Sequence, residues 1–502
     1  MKKILISNIK LILYAALKNK YKISILFLFY YLNKNFKYIW FKILINTSYG
    51  KKKLHDKQEE SKLIIKRFIE NKKFKDTFNK LPDKSSKSQL RHILHNRKSK
   101  INNKVSGGVY ICNEELIKLL QDVNNDYMFS NPLHLDLYPE LGKMESEIIK
   151  MIGHLYDMPN SGGGNLTTGG TESTILALKA YKKLYKKSFL NFGTPEVLCT
   201  KTVHAAVNKA CELLDLNINY IKLNDDFTMD LNDLVSKISS KACVIIASAP
   251  CFPYGLTDDI TKIGLIAKKY NIPLHVDACL GGFIMQFTND KLTFNDNIQS
   301  ISVDPHKFGC APKGSSVLLW KNKELKHNQY FIVEDWTGGI YASSSLPGSR
   351  VGSQIVTTWA ALLYHGYQMY YKNAQKIVNK TQEFKRKLQE LDSYVVIGNP
   401  NINVVAFYNK KYSISQIVKT LKQDGWNINV LQNPLCLHIC ITNKNIHNID
   451  GLYYLLKQLL THDIDKKKTN DITAIYGMAS EIPDKTIIKD LVSFYLDATT
   501  EI

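Results

Sequence analysis

His306 and Lys307 stand side by side in SVDPHKFGCAPKGSS, residues 302–316. The run before them, residues 300–303, is uncharged until Asp304, and the run Val317–Trp320 beyond the loop is apolar again. A lysine held between two core strands is partly desolvated. Desolvation lowers an amine's pKa and makes its neutral, nucleophilic form accessible, which suits Schiff-base chemistry. For a lone lysine, a side chain that snorkels to the surface is the favoured reading, so other groups must decide. NLTTGGTES, residues 165–173, opens an amphipathic helix after two glycines. Gly169 and Gly170 let the backbone approach a ligand, and Thr168, Thr171 and Ser173 supply hydroxyls. A helix N-terminus of this kind suits a phosphate. Asp277 ends the apolar run PLHVDA, where a carboxylate needs a partner: a protonated ring nitrogen, or a structural arginine or lysine. His204 follows another such run and alone reads as a core histidine.

Taken together, a phosphate site, a carboxylate, an imidazole and a strand-end lysine are what pyridoxal phosphate requires. The helix start would take its phosphate, Asp277 would keep its ring nitrogen protonated, His204 would stack on its ring, and Lys307 would bond to it covalently. His306 would pack against the ring or the phosphate.

The elements that must position these groups follow from the apolar pattern. Runs at 197–200, 220–223, 243–248, 273–278, 300–304 and 316–320 read as strands, and 258–270 reads as a helix between two of them. That alternation implies an α/β fold with a large, mainly parallel sheet covered on both faces. Runs at 394–397, 402–408, 428–431 and 436–442, with a helix from about 414, imply a smaller C-terminal α+β domain. Ser413 and Gln416 have capping-box spacing there. Segment 354–391 reads as helical, with a domain boundary near 375. The expected divisions are 1–50, 51–104, 105–375 and 376–502.

Charge separates the beginning of the chain from the rest. The 502 residues carry a formal charge of +22, and residues 1–104, with 27 basic and 6 acidic side chains, account for +21 of it. The remainder is nearly neutral, which argues against a nucleic-acid partner. Apolar stretches at 23–32 and 38–45, broken by Lys34, Lys37 and Lys42, are too short for a secure spanning helix. They suit a membrane-associating segment that either spans or lies on a bilayer, over residues 1–50, followed by a basic helical or linker segment. Nine dispersed cysteines without C-x-x-C read as reduced core thiols, and no metal centre is expected.

The motifs TTGGTES, HAAVNKA, HVDACLGGF, DPHKFGCAPKGSS and GSRVGS, with KVSGGVY (104–110), NPLHLDLYPE (131–140) and the terminal stretch 474–498, resemble in order and spacing those of the sphingosine-1-phosphate lyases. These are pyridoxal-phosphate enzymes of a group II decarboxylase-like family. The resemblance implies the type I, aspartate-aminotransferase-like fold and a homodimer with both sites at the interface. It also implies an endoplasmic-reticulum membrane protein whose catalytic body faces the cytosol. Carried over by motif, Thr168, Gly169, Gly170 and Thr171 match the cofactor-phosphate segment, and His204, Asp277, His306 and Lys307 match the ring-binding and covalent positions. Tyr110, His134, Lys313 and Arg350 fall where the substrate phosphate is expected, Tyr254 falls near the cofactor, and Gly352 and Ser353 fall in a loop expected to reach the neighbouring subunit's cofactor phosphate. Pro305, Thr168, Val351 and Ser353 depart from the family's usual residues. The implied reaction is C2–C3 cleavage of a phosphorylated sphingoid base. Lys307, Tyr254, His306 and the cofactor phosphate are open candidates for the base at the C3 hydroxyl. An amino-acid decarboxylase, or an inactive membrane-bound scaffold, is the alternative. Tyr110, His134 and Lys313 suit a phosphate better than the carboxylate a decarboxylase would hold.

Overall fold

The computed structural model describes residues 47–70, 86–98, 102–111, 113–187, 193–460 and 485–500. The membrane-associating segment expected over 1–50 lies almost wholly outside the described residues, as does the first part of the terminal stretch 474–498. Among the described residues no helix is long and apolar enough to cross a membrane. Contacts divide the chain into two compact units, one of them Asn102–Leu431 with Cys436–Asp465. In the other, helix Ser48–Glu70 packs against helix Lys485–Thr500, burying Ile65 and Leu491.

The larger unit is built on seven strands: β1 Gly163–Thr167, β2 Glu196–Thr200, β3 Asn217–Ile221, β4 Ala242–Ser248, β5 Leu274–Asp277, β6 Ser300–Val303 and β7 Ser316–Trp320. Their order is β1-β7-β6-β5-β4-β2-β3. Strands β2 to β6 run parallel, while β7 is antiparallel to both its neighbours. The reversal at β7 has a local cause. Only residues 304–315 join it to β6, with no helix among them to carry the chain back across the sheet. The apolar runs are continuous because both faces are covered. In β4, Val244 and Ile246 face one core and Ile245 and Ala247 the other, as the two-residue period requires. All six expected strands of this sheet are present. Strand β1 was not expected, and β3 begins three residues before its predicted start.

Strand direction places the chemistry. Ser248, Asp277 and Asp304 lie at or just beyond the carboxyl ends of neighbouring parallel strands, where open α/β sheets bind ligands. Helix α1, Gly170–Lys187, starts at the same edge after β1. Helix α2, Ile260–Lys269, is capped by Asp259, which accepts from the Lys262 N–H. Helix α3, Gly352–Gln389, breaks at Gly366, whose φ of 55° and ψ of 178° are non-helical, and residue 375 lies inside it. The smaller sheet holds β10 Tyr394–Val396, β11 Val404–Asn409, β12 Asn429–Leu431 and β13 Cys436–Cys440 in the order β10-β11-β13-β12, all antiparallel. Helix α4, Ile414–Gln423, begins with the Ser413/Gln416 capping box read from the sequence. A hairpin of β8, Phe331–Val333, and β9, Tyr341–Ser343, precedes α3.

Candidate active site

One cavity of about 290 Å3 is lined by Thr168, Gly169, Gly170, Thr171, His204, Asp277, His306 and Lys307. Residues drawn from four separate stretches of sequence thus meet in one place. Asp304, Ser248, Phe252 and Cys279 also line it.

Lys307 follows β6 in the reversing loop, and its Nζ donates to Asp304 Oδ2 at 2.9 Å. Asp304 is 2% exposed. Burial works against the Lys307 charge, but Asp304, Cys279 and Tyr110 together hold its ammonium above the ordinary lysine range. The expected lowering by desolvation is therefore reversed, because a carboxylate three residues away shares the burial. Burial pushes Asp304 upward, and Lys307 and His306 outweigh it, so its carboxyl sits below the usual carboxylate range. His306 Nδ1 accepts from the Ser315 N–H at 3.2 Å, which leaves Nε2 to donate towards Asp304 Oδ2 at 3.4 Å. Burial lowers the His306 pKa and favours this neutral tautomer.

Asp277 is half-buried at the end of β5, and its Oδ1 accepts from the Cys279 N–H at 3.0 Å. No arginine or lysine pairs with it among the described residues. His204 is exposed rather than in the core, and its Nδ1 accepts from the Ala206 N–H at 3.1 Å. Its ring stands nearly perpendicular to that of Phe252, with centroids 6.2 Å apart. At the start of α1, Glu172 Oε2 accepts from the Thr168 N–H and O–H at 2.7 and 2.6 Å. Ser173 does not face the cavity. Its hydroxyl is buried between those of Thr167 and Ser316, at 2.7 and 2.9 Å, and ties α1 to β1 and β7.

These residues fit pyridoxal phosphate. Gly170 has no side chain where a Cβ would come within 2.8 Å of Cys279 Sγ and 3.1 Å of Asp304 Oδ2, so the turn lies against the cavity floor. The Ser248 hydroxyl, which lines the cavity, is buried without a hydrogen-bond partner. Among the described residues no lysine or arginine pairs with the Asp277 carboxylate, as suits a partner for a protonated ring nitrogen.

A second cluster adjoins the first. Lys313 Nζ stands 4.7 Å from the Tyr110 ring centroid and donates to the His306 carbonyl at 3.4 Å. Tyr110 packs edge-on against Phe308. Burial lowers the Lys313 pKa, with Lys307 adding to the effect. The remaining expected residues lie outside the cavity lining. Tyr254 is buried against Phe227, with burial pushing its phenol up to about 12. His134 is exposed in the segment before helix Pro139–Leu155. Arg350 is engaged by Glu145, with Nη2–Oε2 at 2.9 Å and Nη1–Oε1 at 3.2 Å. Gly352 and Ser353 are buried at the start of α3, where the Gly352 N–H donates to the Ser130 carbonyl. The sequence reading missed Asp304, Cys279, Ser248 and Phe252 as site residues. A signal existed for Asp304, an acid at i−3 from the lysine at the end of a buried strand.

A model of the pyridoxal-dependent decarboxylase conserved domain matches residues 79–410. The chain is 37% identical over 413 residues to sphingosine-1-phosphate lyase of Dictyostelium discoideum, covering 79% of this chain and 76% of that one. It is 34% identical over 405 residues to sphingosine-1-phosphate lyase of Drosophila melanogaster, covering 78% and 74%. The chain belongs to the sphingosine-1-phosphate lyase family. Its fold matches the solved sphingosine-1-phosphate lyase of Burkholderia pseudomallei K96243 with a TM-score of 0.74 at 26% identity, over 82% of this chain and 98% of that one. Lactobacillus brevis glutamate decarboxylase, at 17% identity and a TM-score of 0.70, shares the fold. The chain is thus a pyridoxal-phosphate-dependent lyase, and the cavity around Lys307 is where its residues fit the cofactor.

Proposed function

We propose that the chain cleaves the C2–C3 bond of phosphorylated long-chain sphingoid bases, releasing a long-chain aldehyde and phosphoethanolamine. The observation that carries this reading is the single cavity joining Lys307, Asp277, His204 and the 168–171 turn, with Lys313 and Tyr110 beside it. Bound pyridoxal phosphate supplies an electron sink for the carbon bearing the substrate amine. Lys307 anchors it, and Asp304 holds the lysine's proton until transfer. Asp277 keeps a proton on the ring nitrogen, and His204 and Phe252 confine the ring. Lys313 and the Tyr110 hydroxyl bind the substrate phosphate, a dianion that needs charged and hydrogen-bonding partners. Gripped there, the scissile bond is held in line for cleavage. Of the side chains weighed as base for the C3 hydroxyl, Lys307 and His306 line the cavity and Tyr254 does not.

The reading includes a homodimer, supported by exposed apolar side chains in two stretches, Phe129 and Leu137 in one and Trp336 and Ile340 in the other. It also includes attachment of the basic arm to the endoplasmic-reticulum membrane, supported by the concentration of positive charge in residues 1–104. The test is to give the cofactor-loaded full chain sphingosine 1-phosphate and analyse products by mass spectrometry. Phosphoethanolamine and the matching aldehyde should appear in equal amounts. Carbon dioxide from amino acids, with neither of those products, would replace this reading by a decarboxylase.

A further inference from the structure

Strand β1 lies at the edge of the large sheet, so one side of it has no strand partner. Side chains take that place. Glu145 Oε1 accepts from the Leu166 N–H at 2.9 Å, and Arg350 Nη1 donates to the Leu166 carbonyl at 3.2 Å. Glu145 and Arg350 are themselves paired through both carboxylate oxygens, with side chains 14% and 13% exposed. Two residues on, Glu172 accepts from the Thr168 N–H and O–H with one oxygen, and from the Leu346 N–H with the other at 2.8 Å. Glu145 therefore holds a backbone N–H of β1 and Glu172 one of the turn that follows, and each also holds one group of segment 344–351. Asn131 secures the same segment, accepting from the Arg350 N–H at 3.2 Å and donating to Ser349 Oγ at 3.1 Å.

We propose that Glu145 and Glu172 form a double clamp that sets the cofactor-phosphate turn, with Arg350 as a positioning residue in it rather than a ligand of the substrate phosphate. A planar guanidinium matched to a carboxylate by two parallel bonds, and to a strand carbonyl by a third, is committed in a way a phosphate ligand is not. The clamp holds Leu166 and Thr168, just before and at the start of residues 168–171, so loosening it displaces the turn that meets the cofactor phosphate. The inference rests on the cofactor binding at that turn and not on the identity of the substrate.

The test compares Arg350→Lys, Glu145→Gln and the double variant in the full chain, by equilibrium titration with pyridoxal phosphate after cofactor removal. Losing charge-assisted bonds should weaken cofactor affinity about tenfold or more in each single variant. The double variant should be no weaker than the weaker single one, because both changes break one unit. With cofactor saturating, KM for sphingosine 1-phosphate should stay within about twofold of the parent, since uniform substrate binding is untouched. Unchanged cofactor affinity overturns the proposal, and so does a large rise in KM at parental cofactor affinity. Should those variants fail to fold, Asn131→Ala loosens the same segment more gently, and unchanged cofactor affinity there overturns it as well.

Discussion

Lys307, the lysine proposed to form the covalent bond, is held towards its charged form by its surroundings. The partner responsible is Asp304, buried and 2.9 Å from Nζ. A carboxylate that close, with Cys279 and Tyr110, favours the ammonium against burial, and the ammonium must lose a proton before it can attack. Asp304→Asn should shift the pH profile of pyridoxal-phosphate capture, followed by absorbance, to lower pH. The sign follows from the removed charge, since the carboxylate is the foremost influence opposing burial and its loss lowers the lysine pKa. An unmoved profile would remove Asp304 from this role. The same substitution strands a partly buried ammonium and should destabilise the apoprotein by about 3–5 kcal/mol, the usual cost of breaking a buried pair. Asp304 carries its own linkage. Its folded pKa lies below the unfolded value, so its contribution to stability is present above the ordinary carboxylate range and is lost as pH falls through the folded value.

At the scale of elements, the site depends on how closely turn and strand can approach. A Cβ on Gly170 would press on Cys279 Sγ and both Asp304 oxygens. Gly170→Ala should therefore weaken pyridoxal-phosphate affinity about tenfold, as overpacking of a tight contact costs roughly 1–3 kcal/mol. Gly451→Ala is the control. It lies in helix Ile449–Gln458 with nothing within 4 Å of the added carbon, and should stabilise the chain by about 0.5–1 kcal/mol without changing cofactor affinity. Equal effects of the two substitutions would show that the approach at Gly170 does not matter. The elements carrying Lys307, Asp277 and His204 were legible because doubly covered parallel strands are written as continuous apolar runs. Strand β1 was not. Gly163 and Gly164 make its sequence read as a loop, yet Gly164 is required there, since a Cβ would lie 2.7 Å from the Leu318 carbonyl oxygen.

At the scale of the whole molecule, what the sequence hid is long-range pairing. Lys307 and Asp304 are neighbours in the chain, whereas Arg350 and Glu145 are 205 residues apart. A motif can place Arg350 near a phosphate, but no local pattern shows the carboxylate that occupies it. Tyr254 is similar: its stretch meets the cavity through Cys251 and Phe252, while its own ring turns into the core against Phe227. The uneven charge of the chain, by contrast, was readable by counting. That charge also makes the covalent assignment a demanding one, because 67 basic side chains are distributed along 502 residues and many exposed lysines can meet an aldehyde. The most direct measurement is to load the full chain with one equivalent of pyridoxal phosphate, reduce it with borohydride, and map the modified lysines by peptide mass spectrometry. A single phosphopyridoxyl group on Lys307 is predicted. Labelling spread over surface lysines, or a single label on any other lysine, would contradict it.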